Sequence, residues 1–191
     1  MKRSTLIILA ILSIGLLSAF AYTGVADGSA EFKSSFLTLI NKTRAKGCNC
    51  GKTYYPPAPP IVWNDNLEDA ARGHAKDMAR KQYFSHDSKD GRNMEERIVS
   101  AGYVFKGYKS FAIGENIAFG QTSIAEVMSG WFRSEGHCKN LMNPDFKEVG
   151  VPEVNKYWVQ DFGGRESFSA EQQKLIKSGK YRLIQKEGAR H

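Results

Sequence analysis

The most informative stretch of the sequence is Ser123-Ile-Ala-Glu-Val-Met-Ser-Gly-Trp-Phe-Arg-Ser-Glu-Gly-His-Cys138. Ser123 and Glu126 have the spacing of a capping box, in which two side chains satisfy backbone N–H groups at a helix start. Apolar residues then recur at helical spacing, and the ones expected to turn inward are Ile124, Val127, Met128 and Trp131. The stretch therefore predicts a half-buried helix that ends at Gly136, with His137 and Cys138 directly after it.

Helical patterns also dominate the chain before this stretch. The first has apolar positions at Phe32, Phe36, Leu39 and Ile40 and stops at Gly47. The second begins after Asn64 or Asp65, and its apolar face carries Leu67, Ala70, Ala71, His74 and Met78. A third, short helix is predicted over about 92–101 and closes at Gly102. The intervening segment 48–60 ends in Tyr-Tyr-Pro-Pro-Ala-Pro-Pro, so we expect an extended, polyproline-like strap and no regular structure there.

Strand patterns are confined to the later part of the sequence. Residues 103–118 are typical of loop and short strand. Lys147–Val151 and Lys156–Phe162 predict a β-hairpin around Pro152-Glu-Val-Asn155. Because helices come first and strands late, the sequence indicates an α+β domain built in layers.

The first 21 residues have the features of a secretory signal. A basic start, Lys2-Arg3, precedes an apolar run from Leu6 to Phe20, and Ala19-Phe20-Ala21 is a cleavage site of the A-x-A type. An uncleaved membrane anchor is the alternative, because the run approaches the length of a spanning helix. Cleavage after residue 21 is favoured, which predicts a secreted or periplasmic protein.

The formal net charge of +7 is carried mostly by the two ends of the chain. Residues 22–168 hold 19 basic and 18 acidic side chains, whereas residues 169–191 hold six basic and two acidic ones. The near-neutral body and the export signal both argue against nucleic acid as a partner. The basic C-terminal segment predicts at most a weak, salt-sensitive attraction to anionic envelope surfaces.

The three cysteines suit an oxidising compartment. Cys48 and Cys50 flank Asn49, and Cys138 lies far downstream. A bridge within Cys48-Asn-Cys50 would be strained, so a long-range disulfide from one of the two to Cys138 is expected. A zinc site made of the two close cysteines and His137 is the alternative.

The body contains three histidines, which limits the candidate chemistry. His74 lies on the apolar face of its predicted helix, and we interpret it as a core residue. His86 and His137 each follow a predicted helix end, and Glu115 is flanked by apolar residues, an unusual setting for an unpartnered carboxylate. Two imidazoles and a carboxylate could hold a divalent metal such as zinc. The structural alternative for Glu115 is an acid that accepts backbone N–H bonds and fixes a loop.

Seven segments in order along the chain share a pattern with one known family. They are Leu39–Arg44, Pro59–Asn64, Leu67–Ala79, Phe84–His86, Gly114–Ile117, Trp131–Cys138 and Tyr157–Phe162. Together they resemble the CAP superfamily, or SCP domain (cysteine-rich secretory proteins, antigen 5, pathogenesis-related 1), and its bacterial branch most closely. The resemblance covers about residues 35–163. It leaves a flexible lead-in over 22–34 and a basic tail over 164–191.

This resemblance implies a three-layer α-β-α sandwich with a central antiparallel sheet and a histidine-lined cleft. Family members gather two histidines and two acids in the cleft, and His86, Glu115 and His137 match three of those positions. Ser134 stands where the second acid would be, which weakens any mechanism based on paired acids. The metal ligands implied are His86 and His137, with Glu115 as a further candidate and zinc as the favoured ion.

The resemblance also implies a disulfide and a function. Cys50 and Cys138 match the bridged pair of the bacterial branch, which would leave Cys48 free. The function expected is a binding module whose cleft takes a divalent metal and an unknown lipid, glycan or peptide ligand. A metal-dependent hydrolase of the cell envelope and a non-catalytic structural envelope protein are the alternatives.

Overall fold

The computed structural model describes residues 28–181. The predicted signal over residues 1–21 therefore lies outside the described residues, as do the start of the lead-in and the last part of the basic tail. Between residues 28 and 181, no helix combines the length and apolar character needed to cross a bilayer.

Six helices and seven strands make up the described part of the chain. The helices are α1 (Ala30–Arg44), α2 (Asp65–Lys81), α3 (Met94–Ser100), α4 (Ile124–Arg133), α5 (Glu135–Met142) and α6 (Ala170–Lys177). The strands are β1 (Cys48–Cys50), β2 (Thr53–Tyr55), β3 (Val62–Trp63), β4 (Ser110–Phe119), β5 (Glu148–Gly150), β6 (Glu153–Val154) and β7 (Tyr157–Glu166).

The central sheet has the strand order β3-β5-β7-β4, and β6 pairs with β7 beside this path. Its pairs are antiparallel except for β3 and β5, which run parallel. The long pair β4–β7 runs from Ser110 opposite Glu166 to Phe119 opposite Tyr157. β4 is therefore an edge strand, and its outer side is open to the helices and loops that build the site.

Helices cover both faces of this sheet, which confirms the predicted three-layer α-β-α sandwich. On one face, Trp158 and Phe162 of β7 pack with apolar residues of α1, α4 and α5. On the other face, Val159 of β7 and Ile117 of β4 pack with α2. The alternation along β7 follows the two-residue period of a strand, so its odd and even residues enter different layers.

The close seating of α2 on the sheet depends on Gly150. A Cβ atom at this position would lie 2.0 Å from the backbone nitrogen of Glu68 in α2. No side chain fits in that space, so only glycine lets the helix approach strand β5 so closely. The short distance between α2 and β5 fixes the position of α2, which carries His74 and leads into the loop that follows it.

The first three predicted helices are confirmed, and side-chain caps set their starts. Ser29, Asn64 and Asn93 each accept a hydrogen bond from a backbone N–H in the first turn of α1, α2 and α3. These caps satisfy N–H groups that have no partner within the helix. The predicted β-hairpin is also present, and its turn lies at Asn155 and Lys156, which have φ values of 49° and 65°.

Two predictions about irregular segments are wrong. Residues 48–55 form the hairpin β1–β2 and not an irregular strap, because the chain reverses at Gly51 and Cys50 is tied to the body by its sulfur. Residues 103–118 contain most of the ten-residue strand β4. That strand has four consecutive buried residues, Gly114 to Ile117, because helices cover both faces of the sheet. Its sequence therefore lacks the alternation of apolar and polar residues by which a strand is usually predicted.

The predicted lead-in over 22–34 is wrong for its last residues. Helix α1 begins at Ala30, and Phe32 is buried in the core. The domain therefore begins earlier than the family resemblance implied, in agreement with the helical pattern that starts at Phe32, whose ring packs against Trp63 and Trp158.

The stretch Ser123–Cys138 differs from the prediction at both ends. Ser123 caps α4, but the carboxylate of Glu126 accepts hydrogen bonds from Thr122 and not from the N–H of Ser123, so the predicted capping box is incomplete. The helix ends at Arg133 and not at Gly136, because Ser134 has extended backbone angles. A new helix, α5, starts at Glu135, and His137 consequently lies within a helix and not after one.

Candidate functional site

Glu115 is the centre of the candidate site. It lies in the middle of edge strand β4, and only 2% of its side chain is exposed. Its Oε1 atom accepts a hydrogen bond from Nδ1 of His86 at 2.7 Å, and its Oε2 atom accepts one from Nη2 of Arg97 at 2.6 Å. Both carboxylate oxygens are therefore engaged, one by a histidine and one by a buried cation.

Arg97 is a part of the site that the sequence did not single out. It extends from α3, and its side chain is only 3% exposed. Besides Glu115, it donates to the backbone carbonyl of His86 at 2.8 Å and to the hydroxyl of Ser88. Arg97 thus holds the carboxylate and the loop of its histidine partner in one arrangement. Its position in the short helix α3 carries no distinctive pattern that sequence reasoning could have used.

The pKa values of this group follow from its contacts. Burial alone would raise the pKa of Glu115, but the hydrogen bond from His86 and the charge of Arg97 outweigh it and hold the pKa below its ordinary value. The hydrogen bond to Glu115 in turn raises the pKa of His86. Glu115 is therefore an anion at neutral pH, and a carboxylate only accepts, so Nδ1 of His86 carries the hydrogen.

His86 reaches the site from the loop between α2 and α3. Gln82 is the C-cap residue directly after helix α2, and its φ of 51° turns the chain away from the helix axis. The side chain of His86 remains 57% exposed although its Nδ1 atom is bound to a buried carboxylate. The outer nitrogen, Nε2, forms no hydrogen bond with the described residues and faces the open side of the site.

His137 lies on helix α5, which packs against β4. Asn140 donates to the backbone carbonyl of Glu115 at 3.1 Å and to the side chain of Asn116 at 2.9 Å. Asn116 donates to Gln160 at 3.0 Å and to the carbonyl of His137 at 3.3 Å. This amide network fixes α5 to the edge strand and places His137 beside the Glu115 segment.

The ring of His137 is half-buried and has no hydrogen bond to any residue in the range 28–181. Burial lowers its pKa, and the charge of His86 lowers it further. His137 is consequently neutral at physiological pH. One of its ring nitrogens carries a proton, and the other is available to bind a ligand.

Ser134 joins α4 to α5, and its side chain is half-buried. Its hydroxyl makes no cap hydrogen bond and none with His137 within the described chain. A serine nucleophile needs a base within hydrogen-bond distance, and the structure shows no such pair here. Within the described residues, Ser134 is therefore a small polar residue without an activating partner.

Asp161 is a second acid that the sequence reasoning missed. It lies opposite Glu115 in the β4–β7 register, is fully buried, and accepts no hydrogen bond from the described residues. Burial and the charge of Glu115 raise its pKa well above the ordinary value, which favours the protonated form of Asp161. Its apolar neighbours in Val159-Gln-Asp-Phe162 are the same signal that drew attention to Glu115 and could have revealed it.

His74 is a core residue, as predicted. It is 1% exposed, and its two ring nitrogens contact the carbonyl of Ser85 at 2.8 Å and the hydroxyl of Ser88 at 3.3 Å. It therefore supports the loop that carries His86 and has no nitrogen left for a ligand.

An open cavity of about 810 Å³ lies between α2, α3 and the β6–β7 turn. Buried His74, Ser88 and Arg97 contribute to its lining, and Lys76 and Arg92 stand among the other residues that line it. Arg97 therefore lies between this cavity and Glu115.

Comparison with known proteins agrees with the fold. The sequence model of the CAP (cysteine-rich secretory protein) family matches residues 37–162. The chain belongs to the CAP family. Its matched segment contains the four residues predicted to lie in the cleft, His86, Glu115, Ser134 and His137.

Two bacterial proteins are among the most similar relatives. The chain is 37% identical over 108 residues to YkwD and 35% identical over 102 residues to the membrane protein YlbC, both of Bacillus subtilis. These matches cover 56% and 53% of this chain but only 40% and 28% of the two relatives. The chain thus spans well under half the length of these curated relatives.

Solved structures give the same result. An extracellular protein with an SCP domain from Bacillus anthracis is 31% identical, with a TM-score of 0.58 over 69% of this chain and 40% of that one. An outer surface protein of Borrelia burgdorferi has a TM-score of 0.57 over 74% of this chain and 98% of that one. The second is only 20% identical, so it supports the fold alone.

The CAP cleft of this chain offers a limited set of metal ligands. The described residues contain one compact group of three potential ligands, and it consists of Cys48, Cys50 and Cys138. His86, Glu115 and His137 do not form such a group, and both oxygens of Glu115 are already engaged. What the cleft presents to an ion in this arrangement is a pair of imidazoles, one of them oriented by a buried carboxylate.

The cysteines confirm one prediction and exclude another. Cys50 and Cys138 form a disulfide, and Cys48 is free. The alternative of a zinc site built from the two close cysteines and His137 is wrong for this state, because Cys50 is in the disulfide and cannot act as a thiolate ligand. The bridge closes a separation of 88 residues and joins α5 to the β1–β2 hairpin.

Proposed function

We propose that this CAP domain is an extracellular binding module whose cleft takes a divalent metal through His86 and His137. The observation that supports this most is the hydrogen bond of 2.7 Å between Nδ1 of His86 and the buried carboxylate of Glu115. It leaves Nε2 of His86 as the exposed nitrogen, in the tautomer that a metal requires.

The ligands fit a metal that is held by two imidazoles and completed by water or ligand oxygen atoms. Histidines that bind metals usually donate their second ring nitrogen to a carboxylate or carbonyl, and Glu115 has this role for His86. His137 supplies a neutral ring, because burial lowers its pKa. Imidazole suits zinc as well as other divalent transition metals, and we favour zinc.

A bound ion would supply a positive centre that polarises an oxygen atom of a ligand. Arg97 would keep Glu115 ionised, and Glu115 would keep His86 in one tautomer and orientation. The ligand would be an envelope component such as a lipid, glycan or peptide, bound where the cleft opens between α5 and the His86 loop.

Hydrolysis receives less support than binding. Glu115 is the acid that a metal-assisted hydrolase would use as a base, but its two oxygens are held by His86 and Arg97. Ser134 has no basic partner within the described residues. The site is therefore better arranged to hold an ion than to move a proton.

Export is part of the same proposal. The Bacillus anthracis relative of known structure, which is 31% identical, is described as extracellular. The Cys50–Cys138 disulfide is of the kind that persists in an oxidising compartment. The basic start, apolar run and A-x-A site of the first 21 residues supply the signal.

Calorimetric titration of the purified protein with zinc tests the metal site. We expect one ion per chain for the wild type and no saturable uptake for His86→Ala or His137→Ala. The matched control is His191→Ala, which removes one imidazole from the basic tail and should bind like the wild type. Equal uptake by the wild type and the His86→Ala/His137→Ala double variant would contradict the proposal.

The role of Glu115 is tested in the same experiment. Loss of a partner that orients a ligating histidine typically weakens metal binding 10–100-fold, and we expect about this loss for Glu115→Gln. Glu95→Gln is the control, since it removes one exposed acid from the neighbouring helix α3. Unchanged zinc affinity in folded Glu115→Gln would show that the carboxylate does not act through His86.

A further inference from the structure

Three sulfur atoms lie together on the far side of α5 from the amide network. The Sγ atoms of Cys48, Cys50 and Cys138 are all within 4.8 Å of one another, and those of Cys48 and Cys138 are 3.7 Å apart. Cys50 and Cys138 are bridged and fully buried, whereas Cys48 is a half-buried thiol. The metal proposal uses none of these groups.

The geometry of strand β1 explains why Cys48 and Cys50 both face Cys138. Residues two apart on a strand point to the same side, so Cys48 and Cys50 both face helix α5 while Asn49 points to solvent. Cys138 lies on α5 in front of them, and its sulfur also contacts the carbonyl of Asn49 at 3.8 Å. Cys138 therefore has two potential disulfide partners, which are neighbours on the same face of strand β1.

We propose that these cysteines form a thiol–disulfide exchange site in which the bridge moves between Cys50–Cys138 and Cys48–Cys138. The thiolate of Cys48 attacks Sγ of Cys138, a new bond forms between them, and the bond from Cys138 to Cys50 breaks. Cys50 leaves as a thiolate and takes a proton from water, while Cys48 has lost its own. No electrons enter or leave, so the exchange needs no external oxidant or reductant.

The attack requires a small movement of the hairpin. Exchange proceeds when the attacking sulfur lies in line with the bond that breaks. With Sγ of Cys48 3.7 Å from Sγ of Cys138 and a normal disulfide length of about 2.05 Å, an in-line arrangement would place Cys48 about 5.7 Å from Cys50. The sulfurs are closer than that, so Cys48 stands beside the bridge. The β1–β2 hairpin is a separate two-stranded sheet, and isolated two-stranded sheets have little stability of their own, so β1 can make this shift.

The surroundings of Cys48 determine the rate of exchange. Burial raises the pKa of its thiol, so the thiolate fraction at neutral pH is small. Tyr55 of β2 packs against the cysteine cluster, and Glu135 on α5 is paired with Lys139 at 2.7 Å. The exchange should consequently be slow enough for both forms to be trapped by acid.

Both forms keep α5 crosslinked to the hairpin, but they do so at different positions. Moving the bond by two residues along β1 shifts the hairpin against the first turns of α5, and His137 is adjacent to Cys138. The exchange site thus alters the support of a cleft residue without releasing the crosslink. This inference stands on the cysteine geometry alone and does not depend on metal binding.

The test is a time course of disulfide connectivity in the oxidised, folded protein without added thiol. Samples are quenched in acidic denaturant, where thiolates are suppressed, and free thiols are alkylated there. After the remaining disulfide is reduced, trypsin releases Gly47–Lys52, and fragmentation of this peptide shows whether Cys48 or Cys50 carries the label. We expect label on both residues, approaching a constant ratio with time; label on Cys48 alone at every time point would overturn the proposal.

Two serine variants complete the test. Cys48→Ser should have no free thiol at any time, which controls for exchange during handling. Cys50→Ser, folded under oxidising conditions, should form the Cys48–Cys138 bridge and also show no free thiol. Two free thiols in folded Cys50→Ser would show that Cys48 cannot bond to Cys138 and would overturn the proposal.

Discussion

Two acids whose pKa values are shifted in opposite directions lie side by side in the sheet. His86 and Arg97 lower the pKa of Glu115, whereas Asp161 opposite it has no such partners and has a raised pKa. Two adjacent buried carboxyl groups do not both ionise, because the second charge would be neither solvated nor paired. Arg97 and His86 therefore select which of the two carries the charge.

The raised pKa of Asp161 predicts a characteristic dependence of stability on pH. Below about pH 4, both the folded and unfolded chains bind the Asp161 proton, and the residue has no effect. As pH rises from there to the higher pKa of the folded state, only the unfolded chain releases the proton, so the free energy of unfolding falls by up to about 1.4 kcal/mol per pH unit. Asp161→Asn lacks this loss, so its stability relative to the wild type should increase over that range.

Urea unfolding of both proteins at several pH values measures this difference. Asp145→Asn is the control, since Asp145 is an exposed acid in the loop before β5. A constant offset between wild type and Asp161→Asn from pH 4 to pH 7 would mean that Asp161 is ionised in the folded protein.

Sequence reasoning identified His86, Glu115 and His137 but not the residues that determine their properties. Histidines are few, and an acid between apolar residues is conspicuous, so these positions could be found from local pattern and family motif. Arg97 and Asp161 act only because α3 and β7 are brought against β4, with sequence separations of 18 residues for the Arg97–Glu115 contact and more for Asp161. Such contacts have no local signature.

The elements are held in place by a second buried cation, Arg44. At the end of α1, its fully buried guanidinium donates to the carbonyls of Pro59, Leu141, Asn143 and Phe146. Burial lowers its pKa to about 10, so it remains charged at physiological pH. One side chain thus joins α1 to the proline-rich segment and to the end of α5, the helix that carries His137.

Replacing Arg44 by Met should therefore be costly. The variant leaves several buried carbonyls without a donor, and each such group costs about 1–3 kcal/mol. We expect Arg44→Met to lose more than about 3 kcal/mol of unfolding free energy, measured by urea denaturation. Lys42→Met, two residues earlier on the exposed side of α1, should lie within about 0.5 kcal/mol of the wild type. Similar values for the two variants would contradict the role given to Arg44.

Element boundaries were predictable where a cap or an amphipathic face was visible. Helices α1, α2 and α3 have both, and they were placed correctly. The break at Ser134 and the strand β4 were not, because the break is a single extended residue and the strand is covered on both sides. The β1–β2 hairpin was missed for a third reason, since the proline-rich end of its segment obscured the residues before it.

For the whole molecule, the Cys50–Cys138 bridge is the covalent link between the hairpin and the body. A disulfide that closes a loop of this length typically contributes about 2–5 kcal/mol, through the restriction it places on the unfolded chain. Cys138→Ala removes both possible bridges and should lose about that amount in urea unfolding without reductant. Cys48→Ala leaves the Cys50–Cys138 bridge intact and should differ little from the wild type; an equal loss in the two variants would contradict this assignment.

The same architecture explains how the cleft is assembled. The sheet supplies Glu115 on its edge strand, one helical layer supplies Arg97 and the His86 loop, and the opposite layer supplies His137. A site built from three layers exists only when the complete sandwich is formed. We therefore expect the two histidines to lose any shared ligand as soon as the domain unfolds.

The central claim is that His86 and His137 bind one divalent metal together. Nitrogen NMR of the imidazole rings during a zinc titration observes this directly, because it distinguishes the two ring nitrogens of each histidine. We expect His86 to bind zinc through Nε2 while its Nδ1 keeps the hydrogen bonded to Glu115, and His137 to shift at the same zinc concentration. Zinc shifts confined to His191, or absent from both cleft histidines at saturating zinc, would contradict it.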